Sequence, residues 1–188
     1  IGIVVLGLFL ITPSQADDIR NFQIEGMSVG DSLLDYLSKE EIENELKINK
    51  KRYEFIGHEF GEVYWFSEFE MYGHISFFVK TDDKKYIIYS IFGNISYSGK
   101  NIKQCYEQME EISEEFSEIF KKTNIVRKTT QHPKYPTGDN NVRSISYEFN
   151  TGDTISIECY NFEEELFEEE QEILAISVSK KELLDWFN

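Results

Sequence analysis

Basic residues, prolines and cysteines are all in short supply in this chain, and each shortage excludes something. Nineteen Lys and Arg face thirty-five Asp and Glu, a formal charge of -16. The chain therefore lacks the basic excess from which nucleic-acid binding draws its affinity. Three Pro and eleven Gly in 188 residues, with no fixed period, exclude a collagen-like or repetitive architecture. Only two cysteines occur and they do not form a C-x-x-C pair, so a dithiol redox site is not expected. No apolar run reaches the roughly twenty residues that span a bilayer. A Gly-rich phosphate loop, a paired-carboxylate motif and a dinucleotide fingerprint are likewise missing. What is abundant is aromatic: 15% Phe, Trp and Tyr within a hydrophobic fraction of 40%, which separates the chain from a disordered acidic tail and supplies a core.

The first sixteen residues form a targeting signal by pattern. Residues 1–11 are an uninterrupted, charge-free apolar run, followed by Thr12-Pro13 and then Ser14-Gln15-Ala16 before Asp17-Asp18. Small residues at Ser14 and Ala16 fit a signal peptidase pocket, so cleavage is expected after Ala16, leaving no stable membrane anchor. A periplasmic or secreted protein meets an oxidising compartment, and Cys105 and Cys159 permit a single pairing.

The body reads as helices and strands in alternation. Ser28 can cap a helix carrying Val29, Leu33, Leu34 and Leu37, and Ser38 with Glu41 forms a capping box that restarts a helix through Leu46. Aromatic and β-branched runs predict strands at Tyr53–Ile56, Glu62–Glu68, His74–Lys80 and Tyr86–Tyr97. Thr81 to Lys84 reads as a hairpin loop, and Gly93 as a bulge or bend. Ile102, Cys105, Met109, Ile112, Phe116 and Ile119 form one apolar helical stripe. Glu107, Glu110, Glu111, Glu114, Glu115 and Glu118 lie on the face away from it. Thr129 to Asn141 reads as a polar loop. Strict alternation then predicts a hairpin, Arg143–Phe149 and Thr154–Tyr160, turning at Asn150 to Asp153. A strand at Glu172–Val178 and a last helix capped by Ser179 with Glu182 complete the order ααββββ-αβββα. The expectation is a single α+β domain over residues 17–188 in which about seven antiparallel strands carry helices packed on one face, with two similar halves near 22–98 and 99–188. Both periodicities place Cys105 and Cys159 on buried faces, which supports a disulfide.

Four groups of residues are candidates for function. Gly30-Asp31-Ser32-Leu33 resembles the signature of the GDSL esterases. The residues before it do not form a strand, the last histidine is His132, and Thr129 stands where that family's aspartate would be, so Ser32 is expected to be a helix residue. His58, His74 and His132 have no metal spacing, and neither metal nor cofactor is expected. The segment His132 to Asp139 is stiffened by Pro133 and Pro136 and offers His132, Tyr135 and Asp139 as a recognition loop. Glu163, Glu164, Glu165, Glu168, Glu169 and Glu170, with Glu172, form an acidic interaction segment suited to a cationic partner. With neither Gly nor Asp, it does not match a calcium loop.

Ile19–Tyr36, the loop from His132-Pro133 to Gly138, Cys105, Ile157-Glu158-Cys159-Tyr160 and Ser179-Lys180-Lys181-Glu182-Leu183 together resemble a family of small exported proteins of unknown function from low-GC marine bacteria. The resemblance covers most of the chain and implies no activity. The chain departs from that family at Asn161-Phe162, where an Asp-Trp pair is usual. The expected function is that of an exported binding or interaction protein, with a protein or small-molecule ligand. The alternative is a small hydrolase whose site residues are scattered along the chain.

Overall fold

The computed structural model describes residues 18–52, 57–98, 102–131, 140–161 and 171–187. The expected signal segment, the Tyr53–Ile56 strand, the His132–Asp139 loop with His132, Tyr135 and Asp139, and the Glu163–Glu170 segment all lie outside the described residues. Within them the fold is α+β: α1 (Lys39–Asn49), β1 (Phe60–Trp65), β2 (His74–Lys80), β3 (Ile88–Ser98), α2 (Ile102–Ile119), β4 (Asn124–Gln131), β5 (Asn141–Glu148), β6 (Thr154–Asn161), β7 (Gln171–Ser179) and α3 (Lys181–Phe187). The strands make one antiparallel sheet in the order β1-β2-β3-β7-β6-β5-β4. Strands on both sides of residue 98 join this sheet at the β3–β7 pair, each series running from an outer edge to the centre.

Alternation sets the two faces of the sheet. Ile75, Phe77 and Val79 of β2, Ile155, Ile157 and Cys159 of β6, and Leu174, Ile176 and Val178 of β7 point to a first face. There they join Ile42 of α1 and Met109, Ile112 and Phe116 of α2 in the main core. The exception among the helices is α3. Its Leu183 meets Phe60 and Phe78 on the second face, with Tyr89, Phe92 and Trp186 packed around them. Lys80 anchors it there, with Nζ 2.5 Å from Glu182 and 3.3 Å from Glu59 and lying over the rings of Phe60 and Tyr89.

The capping box at Ser38 is present as expected: Glu41 N–H donates to Ser38 Oγ, and Ser38 N–H donates to Glu41 Oε2 at 2.8 Å. The segment before it departs from expectation. Only Leu33–Asp35 is helical, a single 3-10 turn. Glu25 and Gly26 both have positive φ and reverse the chain between Ile24 and Met27, a turn matched to their conformation. Gly30 (φ +97) then donates its N–H to Ile88 O, and Leu33 N–H donates to Tyr86 O, so the segment lies along β3 and buries Val29 and Leu33 without an α-helix. Gly93 is not a bulge; the register shifts between Phe78 and Val79. A Cβ at Gly93 would stand 2.4 Å from the Tyr72 ring, so close aromatic packing requires the glycine. Ser179 does not cap α3, because its hydroxyl bonds Ser90 Oγ at 2.6 Å. The first amide of α3, on Lys181, instead donates to Asp153 Oδ1 from the β5–β6 turn.

Candidate functional site

Cys105 and Cys159 form a disulfide, Sγ–Sγ 2.00 Å and Cα–Cα 6.0 Å, that ties α2 to β6 through the main core. A buried polar network fastens the next two turns of α2. Tyr147 of β5 donates its hydroxyl proton to Ser113 O at 2.8 Å and lies 2.9 Å from Ser113 Oγ and 3.2 Å from Ser117 Oγ. Arg127 of β4 reaches the same helix, with Nη1 2.9 Å from both Glu110 oxygens and Nη2 3.1 Å from Ser113 Oγ. Glu110 is thus tied to the sheet, whereas Glu107 and Glu118 pair with Lys103 and Lys121 and the whole acidic face of α2 is exposed.

The GDSL-like motif is a structural turn. Ser32 Oγ donates to Lys85 O at 2.7 Å. Asp31 Oδ2 accepts from Ser28 N–H and from the Tyr36 hydroxyl, both at 2.9 Å. Burial, helped by Asp31, pushes that phenol up to about 12. Asp31 and Ser32 thus serve the loop's own geometry. A cleft of about 310 Å³ opens nearby, lined by Asp18, Ile19, Arg20, Thr151, Asp153 and Lys180. Its charges are matched internally: Arg20 pairs with Asp18 and, by donating to it, holds that carboxyl below its ordinary value. Asp153 is committed to the α3 amide and to Thr151.

The second face of the sheet is chemically richer. At its β1 end Tyr64 and Phe66 stack with centroids 6.3 Å apart and planes 15° apart, and His74 lies 5.7 Å and 5.3 Å from them. Phe66 is 71% exposed, the highest value among the large hydrophobic side chains described. Arg52 sits over the Tyr64 ring and donates to its hydroxyl. Burial lowers the His74 pKa, favouring the neutral imidazole. Further across, the register aligns Ser76, Phe92, Ser177 and Ser156 on this face, and likewise Asn94, Ala175 and Glu158. Glu158 Oε2 accepts from the Tyr160 hydroxyl at 2.6 Å; burial nevertheless raises the carboxyl's pKa. Among the described residues, no group of three His, Cys, Asp or Glu side chains could hold a metal, and no helix is long and apolar enough to cross a membrane.

The two sheet edges differ. Outside β1, Tyr64 N–H donates to Glu45 Oε2 at 3.3 Å, and Asn49 Nδ2 donates to Glu62 O at 3.2 Å. Side chains of α1 therefore bond two of the outward backbone groups of that edge. At β4 the ladder alternates from a known starting point. Phe149 N–H bonds Asp153 O, so odd-numbered residues of β5 bond β6 and even-numbered ones bond β4. Ile125, Arg127, Thr129 and Gln131 accordingly turn their N–H and C=O groups outward. Among the described residues nothing bonds to them, and nearly every β4 side chain is exposed.

The sequence reading missed Phe66, Glu158 and the whole of β4. Phe66 carried one signal, an aromatic extending the Tyr64 alternation beyond Trp65; β4, exposed on both sides, carried none. Comparison with protein-family models, with curated proteins and with solved structures found no match.

Proposed function

We propose that the chain is an exported, non-catalytic binding protein that recognises its ligand on the second face of the sheet, at the end formed by Tyr64, Phe66 and His74. The observation that carries this reading is Phe66: a phenyl ring left 71% exposed yet stacked in a fixed aromatic group. Such a group offers contact area with little conformational entropy left to lose. Ser96, exposed on β3, and the Glu158–Tyr160 pair supply polar partners on the same face. The Cys105–Cys159 disulfide is compatible with an oxidising compartment, and the apolar run 1–11 supplies the export signal.

The test is a thermal-shift screen of the oxidised protein against sugars, amino acids and short peptides, run beside a turnover panel of ester, peptide and glycan substrates. A compound that stabilises the protein without being consumed, and loses its effect in Phe66→Ala, is the expected result. Turnover of any substrate overturns the reading in favour of a hydrolase. Stabilisation that survives Phe66→Ala places the site elsewhere.

A further inference from the structure

We propose that β4 is a docking edge for an extended, acidic segment of a partner protein, which adds to the sheet as an eighth strand. This goes beyond the ligand face proposed above and lies at the opposite edge of the molecule. Three observations converge on it. β4 is eight residues long and exposed, and its outward N–H and C=O groups on Ile125, Arg127, Thr129 and Gln131 form the template that strand addition uses. At the other edge Glu45 and Asn49 already bond Tyr64 N–H and Glu62 O, so β4 is the more open of the two edges among the described elements.

The charge of β4 selects the partner. In a chain of net charge -16, residues 119–138 contain Lys121, Lys122, Arg127, Lys128 and Lys134 and not one Asp or Glu. Lys128 is exposed on the second face beside the open edge, and Arg127, although paired with Glu110, leaves half its side chain in water. A second copy of this chain is a poor occupant. Antiparallel pairing of two β4 strands centred on Arg127 or on Lys128, the registers that use nearly the whole strand, sets like charges opposite each other. A strand with Glu or Asp at alternate positions meets the same edge with attraction instead.

The experiment measures binding of a fluorescently labelled synthetic peptide of about ten residues, alternating Glu and Val, to the oxidised protein at low and physiological salt. Binding should weaken with salt and be lost when alternate peptide amides are N-methylated. Thr129→Pro removes one outward N–H and none of the β4–β5 ladder bonds, and should weaken binding about tenfold. Lys128→Glu should weaken it as well, with the loss shrinking as salt rises. The N-methylated peptide keeps the test decisive even where Thr129→Pro fails to fold. No binding at millimolar peptide, equal binding of a Lys-Val peptide, or indifference to N-methylation each overturns the proposal. Self-association of the protein that Thr129→Pro abolishes assigns the edge to a second copy and also overturns it.

Discussion

The two edges of the sheet solve the same problem in opposite ways. At β1 two outward backbone groups are satisfied within the chain, by Asn49 on Glu62 and by Glu45 on Tyr64, with Arg52 closing over the Tyr64 ring. At β4 nothing among the described residues bonds the outward groups, and the strand is held from behind, through Arg127 on Glu110 and Ser113 and through the ladder to β5. An edge whose neighbouring helix contributes polar side chains needs no other partner. One backed only by its own ladder stays available for pairing, and its charges decide with what.

The largest effect should come from the covalent support behind the open edge. The disulfide bridges residues 54 apart, and removing it with Cys105→Ser and Cys159→Ser is expected to cost about 4 kcal/mol in the chain-entropy view. Denaturant titration checks the size. Hydrogen exchange should show β4, β5 and the first turns of α2 loosening before β1 and β2, and uniform loosening would contradict the division. Next is the closed edge itself. Glu45→Ala with Asn49→Ala deletes three hydrogen bonds, two of them to the β1 edge and one between the two side chains, and should cost about 1–3 kcal/mol. It should also convert β1 into a second open edge, detectable as association that rises with concentration.

Much of the closed, buried architecture was legible in the sequence. The apolar stripe of α2, the capping box at Ser38, the β5–β6 hairpin and the disulfide all follow from burial periodicities, which a sequence records directly. The open edge was not. β4 lies where no element was expected and runs into the polar stretch from Thr129, because a strand solvated on both sides has no apolar alternation to betray it. The reverse error occurred at Ser28–Leu37. Val29, Leu33 and Leu37 are buried as the pattern implied, but against β3 through Gly30 and Leu33 backbone bonds rather than in an α-helix, and Leu34 is left exposed. The cap of α3 was also out of reach, since Asp153 arrives from a turn remote in sequence. Of the candidate site, the disulfide was read correctly, whereas the aromatic group became visible only when the register set Phe66 beside His74.

The smallest predicted effect compares two carboxylates on the second face. Glu62, on β1, lies 3.5 Å from the Arg52 guanidinium, whereas Glu158, on β6, meets the Tyr160 hydroxyl and is raised in pKa by burial. A raised carboxyl favours folding below the ordinary carboxylate range, and that contribution is lost as pH rises through its folded pKa. Glu158→Gln should therefore be at least as stable as the parent at neutral pH, with the relative advantage declining towards acid. Denaturation midpoints measured across that pH range check the sign, and a variant that gains ground in acid contradicts it.

The most direct test of the contrast between the edges is residue-resolved amide exchange on the unmodified, oxidised protein. Tyr64 N–H, bonded to Glu45, should be protected, as should the amides of Val126, Lys128 and Thr130, which bond β5. The amides of Ile125, Arg127, Thr129 and Gln131 should exchange at rates near those of an open chain. Protection of those four in the protein alone, or rapid exchange at Tyr64, would contradict the account.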